Sequence, residues 1–167
     1  LTGFEAINTS LYDRSAAIFE AISCARRSRK RTGSVLLASS LYPEDISFLK
    51  THAQGTDLSF EFCQLDPDSG RIDYDRLESF LEKEHANISA FVFPQVNSLG
   101  LLEEVDRLSD LANHWQIPSI AAIDPILLAT GGLKPPSEFG QNGVDFIAGE
   151  AQHLAIPPSF GGPGLGL

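Results

Sequence analysis

Short apolar runs alternate along this chain with longer stretches whose apolar residues recur at helical spacing, and that alternation limits the fold more than any other feature. The strand-like runs are 34–39 (with Val35, Leu36 and Leu37 consecutive), 58–65, 88–93, 119–123 and 144–148. Between them lie helix-period stretches. Asp13 is placed to cap a helix reaching about Arg31, with Leu11, Ile18, Ile22 and Ala25 on one face. Pro43 opens a second, with Ile46, Leu49 and Ala53 inward. Asp73 caps a third, carrying Tyr74, Leu77, Phe80 and Leu81, and 103–115 forms a fourth, with Val105, Leu108, Leu111, Ala112 and Trp115 on one stripe. Strands alternating with helices of about 10–15 residues predict βαβ units. The expected fold is therefore α/β, three-layered αβα, around a mostly parallel sheet covered on both faces. The Gly- and Pro-rich stretches 131–143 and 157–166 read as loops.

At 167 residues the chain is one domain or a large piece of one. It starts on Leu1 rather than a methionine and stops inside a glycine-rich run, so an excised part of a longer protein is expected. The net charge of −10 argues against nucleic-acid and anionic-membrane partners. No apolar run approaches the roughly 20 residues that span a bilayer, and no signal peptide is visible. Cys24 and Cys63 stand alone in hydrophobic patterns, which favours a reducing, cytoplasmic setting. The basic run Arg26, Arg27, Arg29, Lys30 and Arg31 before Gly33 reads first as a solvated helix end.

Ligands of open α/β sheets sit beyond the carboxyl ends of the strands. That rule directs attention to Ser39 and Ser40, to 94–100, to Asp124 and to 149–153. Asp124 follows the apolar run 120–123 and precedes Pro125. It has two readings: a fixed, partly desolvated carboxylate holding a cationic ligand atom, or a cap for the segment after it. A phosphate-binding G-x-x-x-x-G-K-[ST] loop and a G-x-S-x-G hydrolase elbow are absent. His52, His85, His114 and His153 are scattered, with no metal-ligand spacing, so no metal is expected. The glycines at 161, 162, 164 and 166 do not form G-x-G-x-x-G.

Four stretches, LTGFEAINTSLYD (1–13), PQVNSLGLLEEVDRLSDLA (94–112), IAAIDPILLA (120–129) and GVDFIAGEAQHLAIPPSFGGPGLG (143–166), resemble the glycine dehydrogenase (decarboxylating) family, the P-protein of the glycine cleavage system. The likeness is to its subunit 1, the N-terminal-half type, and covers nearly the whole chain. The resemblance implies an aspartate aminotransferase-like, fold type I large domain of a pyridoxal phosphate (PLP)-dependent transferase. Residues 1–167 would then be a single fragment of it, lacking an N-terminal region and the small C-terminal domain. The implied chemistry is decarboxylation of glycine with the cofactor as electron sink, and transfer of the aminomethyl group to a lipoyl carrier, the H-protein.

By resemblance, Asp124 matches the aspartate that keeps the cofactor ring nitrogen protonated. Ser15, Asn97, Gln152, His153, Gly161 and Gly162 would border the cofactor as vestiges of its site. Two departures stand out. Gln152 and His153 occupy the place of the Schiff-base lysine, and an amide nitrogen is no nucleophile at neutral pH. Arg14 stands where a glycine is usual, and would either contact an anion or block its pocket. The expectation is a catalytically degenerate subunit, with no catalytic residue and no covalent cofactor of its own, supporting a lysine-bearing subunit 2. The alternatives are a non-catalytic module that binds an anion or cofactor, and a structural interaction domain.

Overall fold

A computed structural model describes residues 1–8 and 10–167, the side chains of Ala155 and Ser159 excepted; Thr9, in the opening stretch, lies outside the described residues. Five strands form one sheet: β1 (Ser34–Ala38), β2 (Phe60–Cys63), β3 (Ile88–Pro94), β4 (Ser119–Ile123) and β5 (Phe146–Gly149). Their order is β2-β1-β3-β4-β5, and every neighbouring pair is parallel. The chain leaves β1 toward one edge and, from β3, steps toward the other. Right-handed crossovers then put helices on both faces. The helices are α1 (Arg14–Arg29), α2 (Pro43–His52), α3 (Tyr74–Glu84), α4 (Val105–His114) and the short α5 (Gln152–Ala155). α1 lies against α2 and across β3, β4 and β5.

The central strands are apolar at consecutive positions because both of their faces are covered. Val35 to Ala38, Ala90 to Phe93 and Ile120 to Ile123 are all buried. Three helices bury much of the stripe expected of them, Ile18, Ile22 and Ala25 from α1, Leu77 and Leu81 from α3, and Leu108, Leu111 and Ala112 from α4, while α2 buries Leu49 and leaves Ile46 and Ala53 partly exposed. Asp13 caps α1 by accepting from the Ala16 amide at 2.7 Å, and Asp73 caps α3 by accepting from Arg76 at 3.0 Å.

The basic run ends α1 as anticipated, with Lys30 in the left-handed region (φ 50°). Its cations pair along the surface: Arg26 with Asp57, Arg29 with Asp145, and Arg31 with the carbonyls of Gln116 and His85.

Several boundaries differ from the sequence expectation, β2 among them, which is Phe60–Cys63 where 58–65 was expected; three others have a clear local reason. The fourth helix starts at Val105, because the buried Glu103 turns inward: its carboxylate accepts from the Ile72 amide (3.0 Å) and from Asn97 Nδ2 (2.9 Å). The last strand starts at Phe146, because Asp145 is engaged with the amide and hydroxyl of Ser119. The glycine-rich stretch after 157 is a loop only as far as Gly164. Leu167 pairs antiparallel with Gly149 (3.0 and 3.1 Å), the Ala151 amide donates to the Leu165 carbonyl (2.8 Å), and Gly166 exchanges bonds with Leu11 on the other side. Among the described residues, no helix is long and apolar enough to cross a membrane.

The two thiols have opposite surroundings. Cys24 is exposed on α1, while Cys63 is buried at the end of β2 and burial pushes its pKa up to about 12. One thiol is therefore expected to react with a disulfide reagent in the native protein at mild alkaline pH, and the second only after denaturation. Two equally fast native thiols would contradict this packing.

Candidate functional site at the carboxyl ends of β4 and β5

Parallel pairing of β4 with β5 sets Ile123 beside Gly149, so the residues that follow each strand emerge together. Gly149 is required there. A β-carbon at this position would lie 2.6 Å from the Ile123 carbonyl oxygen. Asp124 follows β4 and Glu150 follows β5.

Asp124 fits the second of its sequence readings, a cap for the segment after it. Its Oδ1 accepts from the Ile126 amide (3.1 Å), capping the single 3₁₀ turn Pro125–Leu128. The same oxygen lies 3.1 Å from His153 Nε2. The pair is half open to solvent, with side-chain exposures of 48% for Asp124 and 31% for His153, so its electrostatic worth is modest.

Gln152, the first residue of α5, is engaged at both polar ends. Its Nε2 donates to Glu150 (2.9 Å) and its Oε1 accepts from the Leu165 amide (3.2 Å).

The other residues named from sequence are distributed around this centre. Ser15 is buried in the first turn of α1, and its hydroxyl donates to Asp45 Oδ1 at 2.6 Å. Arg14 Nε donates to Asp45 Oδ2 at 2.8 Å, and its guanidinium lies 4.4 Å from the centre of the Tyr42 ring. Burial opposes the charge on Arg14. The hydrogen bond and charge of Asp45, with Glu150 and Tyr42, outweigh that cost and raise its pKa. Arg14 thus faces the N-terminus of α2.

Asn97 is wholly buried. Its amide donates to Gly70 and Glu103, and its oxygen accepts from Leu99 and Leu101, so it organises the loop after β3. Gly161 and Gly162 lie in the exposed loop after α5. The structure therefore brings together Asp124, His153 and Gln152, with Ser15 joined through Asp45 to Arg14, whose charge senses Glu150.

Two buried carboxylates were not legible from sequence. Asp45 finds its partners 30 and 31 residues away, and Glu103 finds Ile72 31 residues away. Neither spacing belongs to a local motif.

A covalently held PLP needs a primary amine, an acid free to face the ring nitrogen and a cradle for the phosphate. Lys30 ends α1, Lys50 and Lys83 lie within α2 and α3, and Lys134 is bonded to Asp106 at 2.8 Å. Asp124 is already paired with His153, and the residue beside Glu150 is an engaged amide. These residues do not fit a cofactor held covalently on this chain. Among the described residues, no group of three or more His, Cys, Asp or Glu side chains is placed to hold a metal.

Comparison with known proteins agrees on one family. The model of the glycine cleavage system P-protein matches residues 1–167. Probable glycine dehydrogenase (decarboxylating) subunit 1 from Nitrosomonas europaea is 36% identical over 167 residues, covering all of this chain and 36% of the relative. The counterpart from Francisella philomiragia is also 36% identical, over 169 residues, with the same coverage. The chain thus spans about a third of the length of these curated relatives.

A crystal structure of glycine decarboxylase (P-protein) of the glycine cleavage system, in inhibitor-bound form, superposes with a TM-score of 0.73 at 28% identity, covering 94% of this chain and 33% of the other. Mouse CSAD superposes with a TM-score of 0.70 at 15% identity over 99% of this chain and 37% of the other, a likeness of fold alone. The α/β architecture is that of the PLP-dependent fold type I enzymes. Matched from its first residue to its last, the chain belongs to the glycine cleavage system P-protein family.

Proposed function

We propose that these 167 residues are part of the large domain of a supporting subunit of glycine dehydrogenase (decarboxylating). In this reading the chain completes the active site of a lysine-bearing second subunit and does not carry the reactive amine itself. PLP bound to that partner supplies the electron sink for glycine decarboxylation, and the aminomethyl product passes to a lipoyl carrier. This chain's own residues hold the geometry of their side of the assembly. Asp124 fixes His153, Gln152 ties Glu150 to the segment 165–167, and Asp45 holds Arg14 and Ser15 at the start of α1.

The observation that carries the reading is Gln152: an amide with both ends engaged, in a chain matched throughout to the P-protein family. A degenerate position inside an intact fold is expected where the fold is retained for what it contacts. The test mixes the full-length protein with the lysine-bearing subunit and follows glycine-dependent CO2 exchange. Exchange should require both. A second subunit equally active alone would refute the proposal.

A further inference from the structure

The polar stripe of α4 grips the loop that leads into β5. Asp106, Ser109, Asp110 and Asn113 recur at helical spacing and share one face of the helix. Asp106 Oδ1 accepts from the Gly140 amide (2.7 Å) and from Lys134 Nζ (2.8 Å), and Asp110 Oδ1 accepts from the Gln141 amide (2.8 Å). Ser109 is wholly buried, and its hydroxyl donates to the Gly143 carbonyl at 2.5 Å. Asn113 Nδ2 lies 3.5 Å from the same oxygen.

The gripped turn contains an asparagine followed by a glycine, Asn142–Gly143. In water such a pair can modify itself. The glycine nitrogen, once deprotonated, attacks Cγ of the asparagine side chain, and the absence of a β-carbon leaves that approach uncrowded. Ammonia leaves, and a cyclic imide remains. Water then opens the imide, at the side-chain carbonyl to give aspartate or at the main-chain carbonyl to give isoaspartate. The main chain through an isoaspartate is longer by a methylene group.

In the native turn that nitrogen is already engaged. The Gly143 amide donates to the Phe139 carbonyl at 2.8 Å, closing an α-turn from 139 to 143. Forming the imide removes the donated proton and swings Gly143, whose φ is 73° and whose carbonyl is held by Ser109. The room for a swing is small: a β-carbon on Gly143 would lie 2.7 Å from the Ser137 carbonyl oxygen.

We propose that Asn142 is a latent modification site, converted to isoaspartate only when the turn 139–143 lifts off α4, so that the grip of Asp106, Ser109 and Asp110 sets the rate. The product would lead into β5 through a lengthened main chain that carries an added negative charge. Asp145, which follows in that segment, accepts from the Ser119 amide at the start of β4 (3.0 Å). Conversion therefore loosens the pairing of β4 with β5 that delivers Asp124 and Glu150.

The test uses the full-length protein, aged at mildly alkaline pH and then digested. Mass spectrometry reads deamidation at Asn142, and chromatography separates the isoaspartyl from the aspartyl peptide. The native protein should convert about tenfold or more slower than the same protein unfolded in guanidinium chloride. Equal native and unfolded rates would overturn the proposal. Ser109→Ala should quicken native conversion about threefold or more while the amides of β3 and β4 keep their exchange protection, because only the turn is released. Asp110→Ala, which frees the Gln141 amide of the same turn, should act in the same direction and decides the matter if Ser109→Ala does not fold. Native conversion as slow in these variants as in the wild type would overturn the role of α4.

Discussion

Replacing Asp45 with alanine is expected to cost about 3 kcal/mol of stability, at the low end of the range for breaking a buried ion pair. Asp45 is 1% exposed and accepts from Arg14 and Ser15, both in the first turn of α1. Removing the carboxylate leaves a buried hydroxyl without its acceptor and a guanidinium without its counter-ion. The low end applies because the Arg14 side chain retains 20% exposure and can recruit water and the nearby Glu44. Asp45→Asn should cost less, since an amide oxygen still accepts from Ser15 in the same volume. Urea titration of both variants measures the difference. A loss below about 1 kcal/mol in Asp45→Ala would show the pair to be worth no more than a surface bridge.

Gly149→Ala is expected to destabilise by about 2–3 kcal/mol and to separate Asp124 from His153. The added methyl group meets the Ile123 carbonyl at 2.6 Å, and that neighbour is backbone, which cannot rotate away. β4 and β5 must therefore part at the point where they deliver Asp124 and Glu150, and where Leu167 pairs with Gly149. The His153 ring resonances should then move, which an NMR spectrum reads directly. A variant with native stability and unaltered His153 resonances would mean that the strand ends have slack the structure does not display.

These sensitivities bear unequally on what could be anticipated from sequence. β4 was plain at 119–123 because a strand buried on both faces is apolar at every position, and α1 was plain because Asp13 caps it and a basic turn closes it. These are local signals. Asp124 left two readings open, since capping and holding a cationic ligand atom both call for a carboxylate at a strand end; its Oδ1 caps the following turn and lies beside His153. Asp45 and Glu103 were missed because their partners come from other elements and are set by packing, which no short spacing encodes. Asn97 was assigned to a cofactor through resemblance, yet its polar atoms are occupied within its own loop and the neighbouring turn. The antiparallel pairing of Leu165 to Leu167 hid inside a glycine-rich stretch because backbone bonds alone hold it and no side-chain pattern marks it.

The account stands on the chemistry of one position, where Gln152 offers an amide already bonded to Glu150 and to the Leu165 N–H. The most direct measurement is the intact mass of each subunit after borohydride reduction of the assembled, glycine-free enzyme. The predicted result is one pyridoxyl group on the lysine-bearing partner and an unchanged mass for this chain. A pyridoxylated peptide from within residues 1–167 would contradict it.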